Sequence, residues 1–266
     1  MKVLALKDAP GVLGKIVART IDDLNARAEA RPQAAVEVGA GACVERRDFL
    51  GALTGPGFGL IAEFKPRSPS RGIINTHATP EAMAKVYSRG AAAASVLCDE
   101  PFFGGGLETL TRFRGETHLP VLCKDFILSE YQVFEACAAG ADAVLLMASL
   151  LPRESLERLL SLVHGLGMQA LVETHDRLEL AMVLETPARI VGVNSRDLNT
   201  MEIDTEAARR LLETVPPGIV RVAESGVVTM RQVRLFAEVA DAALVGSAIM
   251  SAEDPAEAIR ELGFGA

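Results

Sequence analysis

Residues 120–146, PVLCKDFILSEYQVFEACAAGADAVLL, hold the pattern that decides the fold. An apolar run, Pro120–Lys124, ends on Lys124-Asp125. Ser129 then stands where a helix N-cap would, and a segment of helical period runs to Ala139. A second apolar run, Asp142–Leu146, follows at once. Neither run alternates polar with apolar residues, which marks strands covered on both faces, as parallel strands with helices packed over them are.

The same unit recurs on both sides of this stretch. Candidate strands are Leu60–Phe64, Ala93–Leu97, Pro120–Lys124, Asp142–Leu146, Gln169–Glu173, Arg189–Asn194, Ile219–Ala223 and Ala242–Val245. They start about every 26 residues, which leaves room for a strand, a helix and two loops. Pro80–Gly90 carries Pro just inside its start and Gly at its end, and Asp254-Pro255 opens a last helix in the same way. Eight such units predict an α/β fold, a single closed (β/α)8 barrel of the TIM type, from about residue 60 to residue 266; a doubly wound open sheet is the competing topology. The leading ~55 residues read as extra helices, around Leu13–Ala30 and Glu45–Leu53, laid on the barrel. No linker rich in Pro, Gly or Ser divides residues 1–266, so one domain is expected.

Composition narrows the function classes. With 49% hydrophobic residues among 266, the chain can bury a sizeable core without disulfide or metal staples. A net charge of −8 disfavours a nucleic-acid binder, which needs a basic face for phosphates, but leaves room for a small anionic ligand held by local cations and helix N-termini. Cys43, Cys98, Cys123 and Cys137 form no CxxC pair and the four histidines do not cluster, so no metal site is expected. The N-terminus has no uninterrupted apolar core of a signal peptide, and no apolar run approaches the ~20 residues that span a bilayer. A cytoplasmic protein without membrane or nucleic-acid partners is the expectation.

The polar residues fall at the ends of the strands. Strand one runs into Glu63 and Lys65, strand three into Lys124-Asp125, strand five into Glu173, strand six into Asn194-Ser195-Arg196 and strand seven into Glu224-Ser225-Gly226. One charge at a strand end is ordinarily a solvated loop residue. Five strands ending this way put the charges together on the C-terminal face of a barrel, where catalytic residues gather. Ser225-Gly226 after strand seven and Gly246-Ser247 after strand eight occupy the usual phosphate position of such a barrel, where glycine lets the backbone come close to an anion.

Six segments resemble indole-3-glycerol-phosphate synthase. They are Ile61–Gly72 (IAEFKPRSPSRG), Ser95–Gly105 (SVLCDEPFFGG), Pro120–Phe126 (PVLCKDF), Gly192–Leu198 (GVNSRDL), Val222–Gly226 (VAESG) and Leu244–Ser247 (LVGS), and they arise in family order. Leu13–Ala18 resembles the family's extra leading helix. Other phosphate-binding barrels share the last two motifs but not the Glu-x-Lys…Ser-Pro-Ser segment.

The resemblance implies ring closure of 1-(2-carboxyphenylamino)-1-deoxyribulose 5-phosphate, with loss of CO2 and water, in tryptophan biosynthesis. It implies no metal and no organic cofactor, a small-molecule substrate, and other enzymes of the pathway as expected partners. Lys124 is the expected general acid at the C2 carbonyl and Glu173 the general base or proton shuttle. Glu63 shares that work or sets the charge of Lys65, which lies two residues along the same strand face. Lys65 itself either binds a substrate anion or donates a proton in dehydration. Asn194 and Arg196 are expected to orient substrate hydroxyl or carboxylate groups, and Ser68, Ser225, Gly226, Gly246 and Ser247 to complete the binding site. Glu224 either contacts the substrate or holds the strand-seven loop. Phe103 and Phe126 are expected to sandwich the anthranilate ring.

The chain departs from the family pattern at Pro66, where a basic residue is common, and at Cys123, which reads as a packing residue. Gly104-Gly105-Gly106 is expected to give the strand-two loop the freedom of a lid. His77 and His175 match no catalytic position and read as loop or cap residues. Two rivals are weighed: phosphoribosylanthranilate isomerase, which would need a cysteine where strand one has Glu63 and Lys65, and a barrel that binds sugar phosphates without turnover, for which so many charged strand ends are unnecessary.

Overall fold

The eight apolar runs all form parallel strands that close on themselves. The computed structural model describes residues 2–41, 45–69, 71–75, 77–197 and 200–265, so Cys43, Ser70 and Leu198 of the sequence motifs lie outside the described residues. The strands are β1 (Gly59–Phe64), β2 (Arg67–Ser68), β3 (Gly72–Ile73), β4 (Ala93–Leu97), β5 (Val121–Lys124), β6 (Ala143–Met147), β7 (Gln169–Thr174), β8 (Ile190–Asn194), β9 (Val220–Glu224) and β10 (Ala242–Val245). The barrel order is β1-β10-β9-β8-β7-β6-β5-β4, with β4 returning to β1. Its seam pairs Gly59 with Ala242 and Ala62 with Val245. This closed cylinder excludes the open doubly wound sheet. β2 and β3 are a small antiparallel hairpin in the loop after β1.

The helices are α1 (Gly11–Ala30), α2 (Gln33–Gly41), α3 (Phe49–Leu53), α4 (Pro80–Tyr87), α5 (Glu100–Phe103), α6 (Leu107–Gly115), α7 (Glu130–Ala138), α8 (Arg153–Gly165), α9 (Arg177–Leu184), α10 (Thr205–Leu212), α11 (Met230–Ala237), α12 (Ser247–Met250) and α13 (Pro255–Glu261). Their starts follow capping chemistry. The side chains of Thr79, Asp99, Ser129, Asp176, Asp204, Thr229 and Asp254 each accept a hydrogen bond from a first-turn amide, satisfying donors that have no partner within the helix. No helix among the described residues is long and apolar enough to cross a membrane.

The leading segment differs from expectation in two places. Residues 45–48 are not helical; only Phe49–Leu53 is, started by Asp48, whose carboxylate accepts from the Gly51 amide. The preceding arginines are used elsewhere: Arg46 donates to the Ala141 carbonyl at 2.7 Å and Arg47 to that of Leu119 at 2.8 Å. The second difference is α2, which packs against α7. α1 buries Leu13, Ile16, Thr20 and Leu24, one side of a helix at spacings of three and four. The chain ahead of it crosses the strand ends, where the Leu4 amide donates to the Leu128 carbonyl and the Lys7 amide to that of Leu150.

Candidate active site

One pocket at the C-terminal end of the barrel draws a side chain from each of the eight barrel strands. Glu63, Leu97, Lys124, Met147, Glu173, Asn194, Glu224 and Leu244 form its floor. Because side chains alternate along a strand, those on the barrel axis at this height converge on one point. Val12, Leu13 and Ile16 of α1 close one side.

Lys124 occupies the centre. It is almost wholly buried, with its ammonium 3.0 Å from Glu173 Oε2 and in direct contact with Glu224 Oε2. Burial opposes its charge, but Glu173, Glu224 and Glu63 together overcome this and hold its pKa well above the ordinary lysine value. The two carboxylates beside it are driven apart. Burial raises Glu224, the neighbouring charge of Glu173 raises it further, and the pull of Lys124 does not offset them, leaving it at about 8. Burial acts on Glu173 too, but Lys124, His175 and hydrogen bonds from Lys124 and Asn194 prevail and bring it to about 2. The surroundings thus push the two carboxyl groups in opposite directions, favouring the protonated form of Glu224 and the ionised form of Glu173.

The neighbours explain this placement. Asn194 donates from Nδ2 to Glu173 Oε1 at 3.3 Å and accepts at Oδ1 from the Arg196 amide, so it fixes both the carboxylate and the turn after β8. Gly192, one pleat below Asn194, makes room for this carboxyl group: a Cβ there would overlap Glu224 Oε1 and displace it. Glu224 therefore belongs to the lysine cluster on the barrel axis rather than to the loop after β9. Glu63 and Lys65 form the expected pair, 2.6 Å apart.

The two glycine-bearing loops follow the neighbouring strands β9 and β10, and both line the pocket. Ser225 and Gly226 both take left-handed backbone conformations, φ 62° and 75°, a costly arrangement for serine of the kind found at binding sites. Gly246 abuts Glu63, whose Oε1 is 2.5 Å from where a Cβ would sit, and Ser247 opens the short α12. Arg196 donates to the Met201 carbonyl at 3.1 Å, and Arg71 also faces the pocket. Ser68 is buried at the hairpin and accepts from the Arg71 amide.

Two expectations change. Phe103 and Phe126 touch each other, with ring centroids 6.1 Å apart and planes tilted by 36°. A ring slotted between them would need about 7 Å, two van der Waals separations, so here they make one shared apolar wall. The first two glycines after Phe103 have fixed structural roles: Gly104 is the left-handed C-cap of α5, and Gly105 passes against the Leu97 carbonyl, where a Cβ would overlap. Pro66 braces the hairpin, its carbonyl accepting from the amides of Ile74 and Asn75 at 2.8 and 3.1 Å.

His175, read from sequence as a loop or cap residue, instead stands beside Glu173, with Nε2 3.4 Å from Glu173 Oε1. It follows Glu173 by two residues, the same spacing that joins Lys65 to Glu63, and that was the available signal. His77 is exposed and its amide donates to Asn75 Oδ1, a loop role as expected.

A family model described as Indole-3-glycerol phosphate synthase matches residues 13–262. The chain belongs to the indole-3-glycerol phosphate synthase family. A synthase of that name from Parafrankia sp. (strain EAN1pec) is 48% identical over 218 residues, 81% of each chain. Indole-3-glycerol phosphate synthase 2 of Streptomyces coelicolor is 42% identical over 254 residues, 95% of this chain and 98% of its own. Among solved structures, 3-hexulose-6-phosphate synthase from Salmonella typhimurium superposes with a TM-score of 0.61 at 18% identity, covering 77% of this chain and 96% of the other. The N-acetylmannosamine-6-phosphate 2-epimerase from Clostridium perfringens gives 0.60 at 17%, covering 77% and 92%. At these identities the two structures are alike in fold alone.

Proposed function

We propose that this member of the indole-3-glycerol phosphate synthase family converts 1-(2-carboxyphenylamino)-1-deoxyribulose 5-phosphate to indole-3-glycerol phosphate, CO2 and water, as a decarboxylating carbon–carbon lyase of tryptophan biosynthesis. The observation that carries this reading is the buried ammonium of Lys124 held between the carboxyl groups of Glu173 and Glu224. Ring closure needs a positive charge at a carbonyl oxygen, and the later loss of water needs a proton donor and an acceptor within reach of one another.

In the first step the ring carbon bearing the carboxylate attacks C2, and the carbonyl electrons move to the C2 oxygen. Lys124 gives up its proton reluctantly, so its first contribution is a fixed charge and a hydrogen bond to that oxygen. The proton follows once the oxygen becomes alkoxide-like. CO2 then departs, and its bonding electrons restore the aromatic ring. In the last step the C2 hydroxyl leaves as water with a proton from Lys124, which Glu224 has reprotonated, while C1 loses a proton. Glu173, ionised and beside Lys124, takes that proton. Glu224, the protonated member, can return one to Lys124.

The phosphate is assigned to Ser225, Gly226, Gly246 and Ser247, whose backbone makes a close approach possible. Lys65 and Arg196 supply cations for the substrate's carboxylate or phosphate, with Ser68 beside them, and the anthranilate ring lies on the Phe103–Phe126 wall. A continuous assay of indole absorbance and fluorescence tests the reading, helped by a chain that contains no Trp. Wild type should form product, and folded Lys124→Ala and Glu173→Gln should be slowed about 10²–10⁴-fold. Binding of the substrate by folded wild type without turnover would refute it.

A further inference from the structure

Glu173 and Glu224 share one cation, Lys124, and each gives it a single oxygen, Oε2. Lys124 alone therefore does not decide which of them stays ionised. The difference lies at the other oxygen. Among the described residues Glu224 Oε1 has no hydrogen-bond partner, and it is buried, which disfavours a charge there. Glu173 Oε1 accepts from Asn194 at 3.3 Å and faces His175 Nε2 at 3.4 Å.

The histidine is held in its turn. Glu179 Oε2, one turn further along the chain, accepts the His175 backbone N–H at 2.8 Å and lies 3.2 Å from Nδ1. With Nδ1–H donating to Glu179, the protonated ring directs its Nε2–H toward Glu173, 3.4 Å away, a charge contact with no hydrogen bond formed among the described residues. The charged groups facing the imidazole are Glu173 on β7, Glu179 on α9 and Glu224 on β9, all acidic, with Lys124 on the far side of Glu173. Burial opposes a charged ring, but the bond to Glu179 and the charges of Glu173, Glu179 and Glu224 outweigh it and raise the imidazole's pKa.

We propose that His175, oriented by Glu179, is a positioning residue that fixes the ionised state on Glu173 and so makes Glu173 the base and Glu224 the proton carrier. It acts through Glu173 and does not touch the reacting atoms. The inference rests on the synthase reading for its kinetic arm but has an arm of its own. Two groups that influence one another's ionisation do so equally in both directions. In the resting protein, NMR titration of the four imidazoles, with His175 assigned by its loss in His175→Asn, should show the His175 titration falling in Glu173→Gln and again in Glu179→Gln. An unchanged His175 titration in both folded variants overturns the proposal.

In the kinetic arm, His175→Asn should move the acid limb of the kcat profile up by about one pH unit, a loss of about tenfold on that limb, with KM changed by less than about threefold. The loss should deepen toward acid pH, where Glu173 now competes for the proton, and Glu179→Gln should show the same trend more weakly. Folded variants that follow the wild-type pH profile, or that lose activity equally at every pH, overturn it. Absence of product from wild type would instead remove the synthase reading and leave the titration arm to decide.

Discussion

Replacing Glu224 by Gln should change how stability depends on pH more than it changes stability at any one pH. A free carboxyl titrates near 4.5 and the buried one at about 8. A group whose folded-state value is raised contributes stability that is fully present below the unfolded value and is lost as pH rises toward the folded one. Between these limits the folded protein holds a proton that the unfolded chain has released. The folding equilibrium then weakens about tenfold per pH unit, or roughly 3 kcal/mol from about pH 5 to about pH 7.5. The substituted amide keeps the shape and the acceptor for Lys124 but has no proton to lose, so this dependence vanishes. It would meet the same partnerless environment that Glu224 Oε1 does, a cost that is constant with pH and cancels in the comparison. Urea unfolding of both proteins at several pH values in that window gives the two slopes. Parallel curves would refute the reasoning, because they would mean Glu224 is already ionised in the folded state.

Further outcomes follow from the same geometry. Lys124→Met should leave a folded barrel with kcat reduced about 10²–10⁴-fold, checked by circular dichroism and the indole assay; a loss below tenfold would move the central cation elsewhere. Gly192→Ala forces Glu224 off Lys124, so it should cost both stability, by about 1–3 kcal/mol, and activity, read by urea midpoint and kcat. Gly226→Ala combines a backbone at φ 75° with a Cβ 2.5 Å from Thr205 Cγ2. It should destabilise by about 1–3 kcal/mol and weaken inhibition by inorganic phosphate, while a variant as stable and as inhibited as wild type would place the phosphate elsewhere.

The barrel was legible because its evidence is local and repeated. Each of eight apolar runs marks a strand, and residues such as Ser129, Asp254 and Pro80 announce the helices through capping chemistry. The leading segment was less legible. Arg46 and Arg47 sit in what reads as a helical start but are claimed by the Ala141 and Leu119 carbonyls, partners about 70 to 95 positions away that no local pattern contains. The charged strand ends gave the site's location and the Glu63–Lys65 pair. The bond between Lys124 and Glu224 joins residues a hundred positions apart and depends on barrel closure, so the spacing of motifs could not assign Glu224 to the cluster. Gly104–Gly106 misled for the opposite reason: glycine's freedom is visible in a sequence, whereas the Leu97 carbonyl that demands Gly105 is visible only in three dimensions.

The joint between β1 and β10 ties residue 59 to residue 242, the first barrel strand to the last. Glu63 from one side of that joint and Gly246 from the other meet directly at its upper edge. A ligand whose phosphate rests on Gly246 and whose other end reaches Lys65 thus bridges the first and last staves of the cylinder. Its binding energy goes to the most entropically demanding closure in the molecule, so an occupied site works as a hoop around the barrel.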